Sequence, residues 1–470
     1  VKEIEAPEGY LLDESDRVKS ENTVKEFSIR TNGQYFDWTV NETPKNAVKR
    51  GGFQLNKVDA EIKGEGISQG DAVLSGAEFT LYNRSKRAVQ VDANDDGEYE
   101  TYAPDAVIKV LVTDGKGSIK TPTYWLPYGH YELTETKAPE GYAIATPITF
   151  TVEDNAENDF FNMIDKQVFV SKKSVTGQDE LPGAKLEVTD KETGKVVDKW
   201  TSGDEQHAIN NLYVGKTYII TEKTAPEGYV IAESIEFTVA DDAKNQLVEM
   251  KDKQLFISKI DVTTEAELPG AHLKVTDEND KVMDEWVSSD APHAVNNLEV
   301  NKTYTLTETI ATKGYVIATP IKFTVLNDFK IQTVTMKDKQ VFVSKKSVTG
   351  EDELPGAELT VTDVETEKVV DKWTSGDKEH AVENLVAGKE YILTEVTAPK
   401  GYAIATSIKF KVEDDFKVQH VEMLDKQVFV HKTDVTGEKE VVGAKLTVIE
   451  PTRKLIVGLL RRNLMQLTTL

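Results

Sequence analysis

The 470-residue sequence contains no cysteine, so neither disulfide bonds nor thiolate metal sites can stabilise this protein. It also lacks any run of about 20 apolar residues, the length that a helix needs to cross a bilayer. Basic residues are scarce relative to acidic ones, and the net charge is -25. Nucleic acid and anionic membranes bind basic surfaces, so neither is an expected partner.

The remaining composition is that of a folded chain. Hydrophobic residues make up 39% and charged residues 29% of the sequence, which is typical of soluble globular proteins rather than of disordered ones. A single domain usually holds about 100–150 residues, so several domains are expected. Without disulfides, a chain that works outside the cell needs another kind of cross-link.

Three markers recur along the chain with one period, which indicates tandem repeats. The motif M-x-D-K-Q recurs in steps of 87, 86 and 87 residues (252−165, 338−252, 425−338). A glutamate in the motif T-E and a lysine at the end of an apolar run recur at the same spacings. The aspartates are Asp165, Asp252, Asp338 and Asp425, the glutamates Glu135, Glu222, Glu308 and Glu395, and the lysines Lys172, Lys259, Lys345 and Lys432. Lys57 begins an earlier copy.

The period divides the chain into four complete repeats between two partial ones. We expect repeat 1 to be enlarged, because Lys57 and Glu135 are 78 residues apart against 50 for Lys172 and Glu222, which places an insertion near 85–120. The predicted boundaries are 1–50 (end of a truncated domain), 51–166 (repeat 1), 167–253 (repeat 2), 254–339 (repeat 3), 340–426 (repeat 4) and 427–470 (a truncated repeat with an aberrant tail).

Each repeat consists of short alternating segments separated by turn signals such as LPGA and APEGY, a pattern typical of β-strands. No helical periodicity is evident. The sequence therefore predicts an all-β protein made of tandem immunoglobulin-like β-sandwich domains, each of about seven strands, arranged as an elongated rod.

Strand parity selects one lysine in each repeat. Residues two and four positions apart share a face of a strand, and Val168 and Val170 precede Lys172 on its face. The neighbouring Lys173 lies on the other face with Ser171 and is expected to be solvated, although Phe169 indicates that this face is partly covered too. The same parity holds for Lys259 and Lys345, so each repeat is predicted to direct a lysine at its core.

The glutamate and the aspartate follow the same rule. Tyr218 and Ile220 precede Glu222, and Val248 and Met250 precede Asp252, with equivalent apolar residues in the other repeats. Burial of an unpaired charge costs many kcal/mol, so such groups pair, become neutral or react. Two interpretations follow: a buried Lys–carboxylate network, or a neutral amine beside a neutral acid that condense into an amide.

The combination of motifs resembles a known family. The segments VFVSKKS, ELPGAKLEV, IITEKTAPEGY and VEMKD across 168–252 are similar to those of the Cna-B-type, or SpaA-like, prealbumin-fold domains of Gram-positive adhesins and pilins. The resemblance implies intramolecular Lys–Asp isopeptide bonds formed with a glutamate as proton shuttle. The implied triads are Lys57–Glu135–Asp165, Lys172–Glu222–Asp252, Lys259–Glu308–Asp338 and Lys345–Glu395–Asp425.

Three residues are predicted to be unpaired remnants of the pattern. Glu3 occupies the glutamate position of the partial domain at the front, where Asn41 is the expected acceptor and the lysine lies upstream of this chain. Lys432 has the donor strand VFVHKTD, but the motifs that supply the glutamate and the aspartate of a triad do not follow it, so we expect it to stay unreacted.

Three other motifs are weaker indications of a functional site. DANDDGEY at 92–99 resembles the start of a calcium loop, but its twelfth position is Ala103, which favours a polar hairpin. His207, His293 and His380 recur once per repeat after a tryptophan, which favours packing or a loop hydrogen bond. Lys45 in WTVNETPKN is a weak candidate sortase acceptor. No cofactor or metal site is expected.

These observations lead to a functional hypothesis: a non-enzymatic stalk of a cell-wall-anchored extracellular adhesin. A pilin subunit polymerised by sortase is the alternative, and a hydrolase or ligand-binding domain finds little support because no nucleophile–His arrangement repeats. We expect any host matrix or cell-surface ligand to bind through regions outside this chain. The signal peptide and the sorting signal for sortase and peptidoglycan attachment are likewise expected outside it.

Overall fold

The computed structural model describes residues 5–11, 28, 30–32, 46–62, 73–154, 156–450, 453–459 and 465–466. The secondary structure of this part of the chain is made of strands, and no helix occurs in it. No helix long and apolar enough to cross a membrane is therefore found among these residues. The all-β prediction is confirmed.

Repeat 2 shows the basic arrangement. Its strands are β11 (Val168–Ser174), β12 (Lys185–Asp190), β13 (Val196–Thr201), β14 (His207–Ala208), β15 (Thr217–Thr224), β16 (Ile235–Thr238) and β17 (Gln246–Asp252). One sheet has the order β14-β11-β17 and the other β13-β12-β15-β16. The first and last strands of the repeat are thus neighbours in one sheet.

Repeats 3 and 4 have the same two-sheet topology, except that repeat 4 adds one short strand at the edge of its first sheet. Repeat 3 consists of β18 (Leu255–Asp261), β19 (His272–Thr276), β20 (Val282–Val287), β21 (His293–Ala294), β22 (Thr303–Ile310), β23 (Ile321–Thr324) and β24 (Gln332–Asp338). Repeat 4 consists of β25 (Val341–Ser347), β26 (Glu358–Asp363), β27 (Val369–Thr374), β28 (His380–Ala381), β29 (Glu390–Thr397), β30 (Tyr402–Ala403), β31 (Ile408–Lys411) and β32 (Gln419–Gln427). The predicted count of about seven strands is confirmed.

Repeat 1 is the enlarged version. Its strands are β1 (Arg50–Asp59), β2 (Glu78–Asn83), β3 (Val89–Val91), β4 (Glu100–Tyr102), β5 (Val107–Val112), β6 (Ser118–Lys120), β7 (Leu126–Pro127), β8 (Gly129–Lys137), β9 (Ile148–Val152) and β10 (Asn158–Asp165). β5 pairs with β2 and β6 with β1, as β13 and β14 do in repeat 2. The added structure therefore centres on the β3–β4 hairpin, inside the predicted insertion, and on β7, which lies beyond it.

The end of the described chain does not complete a fifth sandwich. It contains β33 (Phe429–Val430), β34 (Lys445–Glu450), β35 (Arg453–Leu459) and β36 (Met465–Gln466). β34 pairs with β35, and β33 pairs with β36, each as a two-stranded sheet.

Each core lies between the two sheets of its own repeat, where the inward residues of alternating strands meet. In repeat 3 the core includes Leu255, Ile257, Tyr304, Leu306 and Met336, all nearly inaccessible to solvent. The chain forms two compact units: 1–224 with 233–251, and 225–232 with 252–470.

Candidate functional site

A buried lysine ends the inward face of the first strand in every complete repeat. Lys57, Lys172, Lys259 and Lys345 are each at most 1% exposed. Lys173, the neighbour of Lys172, lies on the other face and forms a 3.6 Å ion pair with Glu249. The strand-parity prediction of which lysine is buried is confirmed.

The parallel pairing of the first and last strands brings the aspartate to this lysine. In repeat 3, Lys259 is opposite Met336, and Asp338 follows two residues later on the same face. Repeats 1 and 4 have the equivalent register, with Lys57 opposite Met163 and Lys345 opposite Met423. Two residues 79 positions apart in sequence therefore meet inside the core.

The glutamate comes from the opposite sheet and is fixed at both carboxyl oxygens. In repeat 3, Glu308 Oε1 lies 2.9 Å from Lys259 Nζ, and its Oε2 accepts a 2.7 Å hydrogen bond from the backbone N–H of Ala318. In repeat 1, Ala145 N–H donates to Glu135 at 2.8 Å. The backbone bond leaves the other oxygen directed at the amine.

In repeats 1, 3 and 4 the lysine amine lies between the carboxyl groups of the glutamate and the aspartate. Lys57 Nζ is 2.5 Å from Glu135 Oε1 and directly contacts Asp165 Oδ1. Lys259 contacts Asp338 in the same way. In repeat 4, Lys345 Nζ is 3.0 Å from Glu395 and contacts Asp425.

Repeat 2 has the same lysine and glutamate geometry. Lys172 Nζ lies 2.9 Å from Glu222 Oε1, and both side chains are buried. β11 pairs with β17, the strand that ends at Asp252, and Asp252 is fully buried.

The buried environment favours the neutral acid. Desolvation, reinforced by the nearby Glu308 carboxylate and opposed by Lys259, raises the pKa of Asp338 to about 8. Desolvation and Glu135, opposed by Lys57, raise the pKa of Asp165 to about 7. Oδ2 of Asp338 is also buried without a hydrogen-bond partner in the described structure, an arrangement costly for an ionised carboxylate.

These raised pKa values give a prediction for the pH dependence of any condensation. The pKa is higher in the folded than in the unfolded chain, so folding of an unreacted repeat takes up a proton, and that stabilisation is lost as pH rises through the folded pKa. We expect condensation in repeat 3 to slow above about pH 8, because an ionised aspartate cannot release its oxygen as water.

Condensation in repeat 1 should also slow as pH rises, since burial raises the pKa of Asp165 in the same direction. The measurement is peptide mass spectrometry of freshly translated chain, quenched at intervals over a pH series. A rate that increases with pH through the alkaline range in both repeats would contradict the requirement for a protonated aspartate.

A second glutamate supports the lysine strand and was missed in the sequence. Glu180 accepts hydrogen bonds from Ser171 Oγ at 2.6 Å and from the backbone N–H of Lys172 at 2.8 Å. Glu267 and Glu353 bind Lys259 N–H and Lys345 N–H equivalently. These glutamates keep the same steps of 87 and 86 residues (267−180, 353−267), so the period itself was an available signal.

The outward face of the lysine strand contains a buried serine in repeats 2 and 4. Ser171 and Ser344 are 0% and 3% exposed, because each hydroxyl is covered by the glutamate to which it donates a hydrogen bond.

Of the three predicted remnants, Lys432 is the one that lies among the described residues. Glu3 and Asn41, with the candidate acceptor Lys45, lie outside the described residues. Lys432 is described and is exposed to solvent, unlike the four buried lysines at the same position of the complete repeats. The predicted lack of reaction at Lys432 stays a prediction.

The recurring histidines stack on tryptophans and bind aspartates. The His207 and Trp200 rings are 4.1 Å apart, and His207 Nε2 is 2.9 Å from Asp198 Oδ2. Repeats 3 and 4 contain the same arrangement. The segment 92–99 connects β3 and β4 as a hairpin, and within the described part of the chain no group of three or more His, Asp or Glu side chains is placed to hold a metal.

Fold and site together define a class of tandem β-sandwich domains, each enclosing a lysine, a glutamate and an aspartate. The family model described as SpaA, prealbumin-like fold domain, matches residues 51–167, 166–254, 253–340 and 339–427. The chain belongs to this family. No curated protein matches it.

Solved structures show distant similarity. The Bacillus anthracis TIE protein is 18% identical, with 80% of this chain and 73% of that chain covered and a TM-score of 0.19. The full-length major pilin SpaD from Corynebacterium diphtheriae is 14% identical, covering 81% and 97%, with a TM-score of 0.19. BcpA, the major pilin subunit of Bacillus cereus, is 16% identical, covering 62% and 99%, with a TM-score of 0.19. Similarity at this level carries no functional argument.

Proposed function

We propose that this chain is a structural stalk segment of a Gram-positive cell-surface protein, in which each complete repeat is closed by an intramolecular Lys–Asp isopeptide bond. The observation that carries this proposal is the contact between the buried lysine amine and the buried aspartate, beside a glutamate fixed by a backbone hydrogen bond. The chain acts on itself once and is not a turnover enzyme.

The proposed reaction is a condensation. The neutral Lys259 amine attacks Cγ of the protonated Asp338 carboxyl, so a C–N bond forms. Glu308 takes a proton from the nitrogen and passes it to the departing aspartate oxygen, which leaves as water when its C–O bond breaks. Fixed proximity replaces external activation, and the product amide carries no charge in the core.

The geometry gives this bond a mechanical role. First and last strands of a repeat are neighbours, so a covalent link between them passes tension directly from one to the other. The link from Asp338 to the next lysine, Lys345, is only 7 residues (345−338). Successive bonds would form a nearly continuous covalent path through the repeats, which suits a tether under shear.

The absence of cysteine is consistent with this use. Secreted proteins are often stabilised by disulfides, and this chain has none, so an amide cross-link would serve the same purpose. A sortase-polymerised pilin remains the alternative, but its candidate acceptor Lys45 lies outside the described residues, and no structural observation favours it.

The mass of the intact denatured chain tests the proposal. Four complete triads predict a mass lower than the sequence mass by four water molecules. Glu222→Ala should restore one water and leave the other three losses unchanged, because each site is separate. A chain with the full sequence mass would rule out the isopeptide bonds and leave a buried ion-pair network in their place.

A further inference from the structure

A second lysine, in repeats 1 and 3, is buried by the repeat that follows it. Lys166, next to Asp165, is 3% exposed, and its amine donates hydrogen bonds to Ala240 O at 2.9 Å and to Asp242 Oδ1 at 2.7 Å in repeat 2. Lys339 of repeat 3 is 5% exposed and pairs with Asp415 of repeat 4 at 2.8 Å. An ammonium group this buried needs its partner, because losing it would leave a desolvated charge.

A short backbone bridge forms a second contact at each junction. Ile317 N–H donates to Leu385 O at 2.8 Å, and Ala387 N–H donates to Ile317 O at 3.1 Å. Between repeats 1 and 2, Ile144 N–H donates to Leu212 O at 2.7 Å, and Val214 N–H donates to Ile144 O at 3.0 Å. The segment between β8 and β9 in repeat 1, and the one between β22 and β23 in repeat 3, thus pair like a strand with a loop of the next repeat.

The histidine motif holds this receiving loop in place. Asp198 Oδ2 binds His207 and also accepts the backbone N–H of Asn210 at 3.1 Å. The Asn210 side chain in turn accepts Gly141 N–H of repeat 1 at 3.0 Å. In repeat 4, Asp371 binds His380 and accepts the N–H of Glu383 at 2.9 Å. The recurring Trp–His–Asp group therefore positions a loop that contacts the preceding repeat.

The end of repeat 4 offers an internal comparison. Lys426 corresponds to Lys166 and Lys339, and Ile404 corresponds to Ile144 and Ile317, but the described residues after Gln427 form no complete repeat. Lys426 is exposed and Ile404 is 60% exposed, whereas Ile144 is 5% exposed. Burial of the lysine and the isoleucine is thus caused by the following repeat and not by their own.

We propose that these contacts form an inter-repeat latch, defined for repeats 3 and 4 by Ile317, Lys339, Asp415 and the loop 383–387. In this latch, Asp415 and the loop 383–387 of repeat 4 form a docking surface for Ile317 and Lys339 of repeat 3. Two separated contacts, an ion pair and a backbone bridge, oppose rotation about the short connection. This inference extends the proposed stalk function: isopeptide bonds would prevent stretching within a repeat, and the latch fixes the angle between repeats 3 and 4, and between 1 and 2.

The absence of native cysteine makes a direct test possible. Glu285→Cys and Lys372→Cys introduce two labelling sites on exposed strand positions of repeats 3 and 4 in the otherwise full chain. Spin labels on this pair report the inter-repeat distance distribution. We expect a narrow distribution for the parent, a clearly broader one for Lys339→Ala and Asp415→Ala, and no further broadening when the two changes are combined, since they remove one interaction.

Lys426→Ala is the matched control, because it removes the equivalent lysine where no complete repeat follows. It should leave the distribution unchanged. Equal widths in the parent, Lys339→Ala and Asp415→Ala would overturn the latch. Intact mass measured on the same samples separates the two proposals: an unchanged water deficit with a broadened distribution assigns the effect to the latch alone, and a narrow parent distribution without any water deficit supports the latch while rejecting the isopeptide bonds.

Discussion

Pulling on single molecules of the Glu308→Ala variant is expected to release an unfolding step of about 270 Å, at ~3.4 Å per residue, that the unaltered chain lacks. The reason is that Lys259 and Asp338 are 79 residues apart in sequence but adjacent in space. With the amide present, tension passes from β18 to β24 and the intervening residues cannot extend. Without the glutamate to transfer protons, the amide does not form and repeat 3 can unravel.

The matched control is Glu285→Ala, which removes an exposed glutamate of the same repeat and should add no step. Repeats 1, 2 and 4 keep their own triads, so one new step is expected per molecule. A step of this length already present in the unaltered chain would show that at least one repeat is not covalently closed. The number of long steps should match the number of missing water losses in the intact mass.

Removal of the amine should strongly destabilise a single repeat. Lys259→Ala deletes the proposed cross-link, and closing a loop of this length stabilises a fold by on the order of 4–5 kcal/mol. It also leaves Glu308 and Asp338 buried without their cation, which adds to the loss. Amide hydrogen exchange in β18 and β24 is expected to accelerate roughly a thousandfold, since each 1.36 kcal/mol corresponds to a factor of ten.

Lys432→Ala is the control for this experiment, because Lys432 has the same place in the period but an exposed side chain. Its exchange pattern in repeat 3 should equal that of the unaltered chain. Hydrogen exchange is preferable to a global melting temperature, since a multidomain chain need not unfold in one step. Loss of protection by less than tenfold in Lys259→Ala would contradict a covalent contribution.

Much of the candidate site could be predicted from the sequence because strand parity is a local property. Successive side chains of a strand alternate between its faces, so the apolar residues before Lys259 predict its burial without knowledge of any partner. The common period then assigns Glu308 and Asp338 to the same repeat. Parity could not predict the burial of Ser171, because the covering side chain of Glu180 lies outside the strand, at a β-bridge with Lys173.

The sequence by itself determined the number of complete repeats, their all-β character and the identity of the inward lysine, glutamate and aspartate, all of which depend on spacing and alternation. Only the tertiary structure decided which groups touch. Parallel pairing of the first and last strands sets Lys259 against Asp338, and sheet packing brings Glu308 to them. The burial of Lys339 was likewise decided by the fold, because it depends on Asp415 in the loop between β31 and β32 of the next repeat, 76 residues away, and no local pattern encodes that contact.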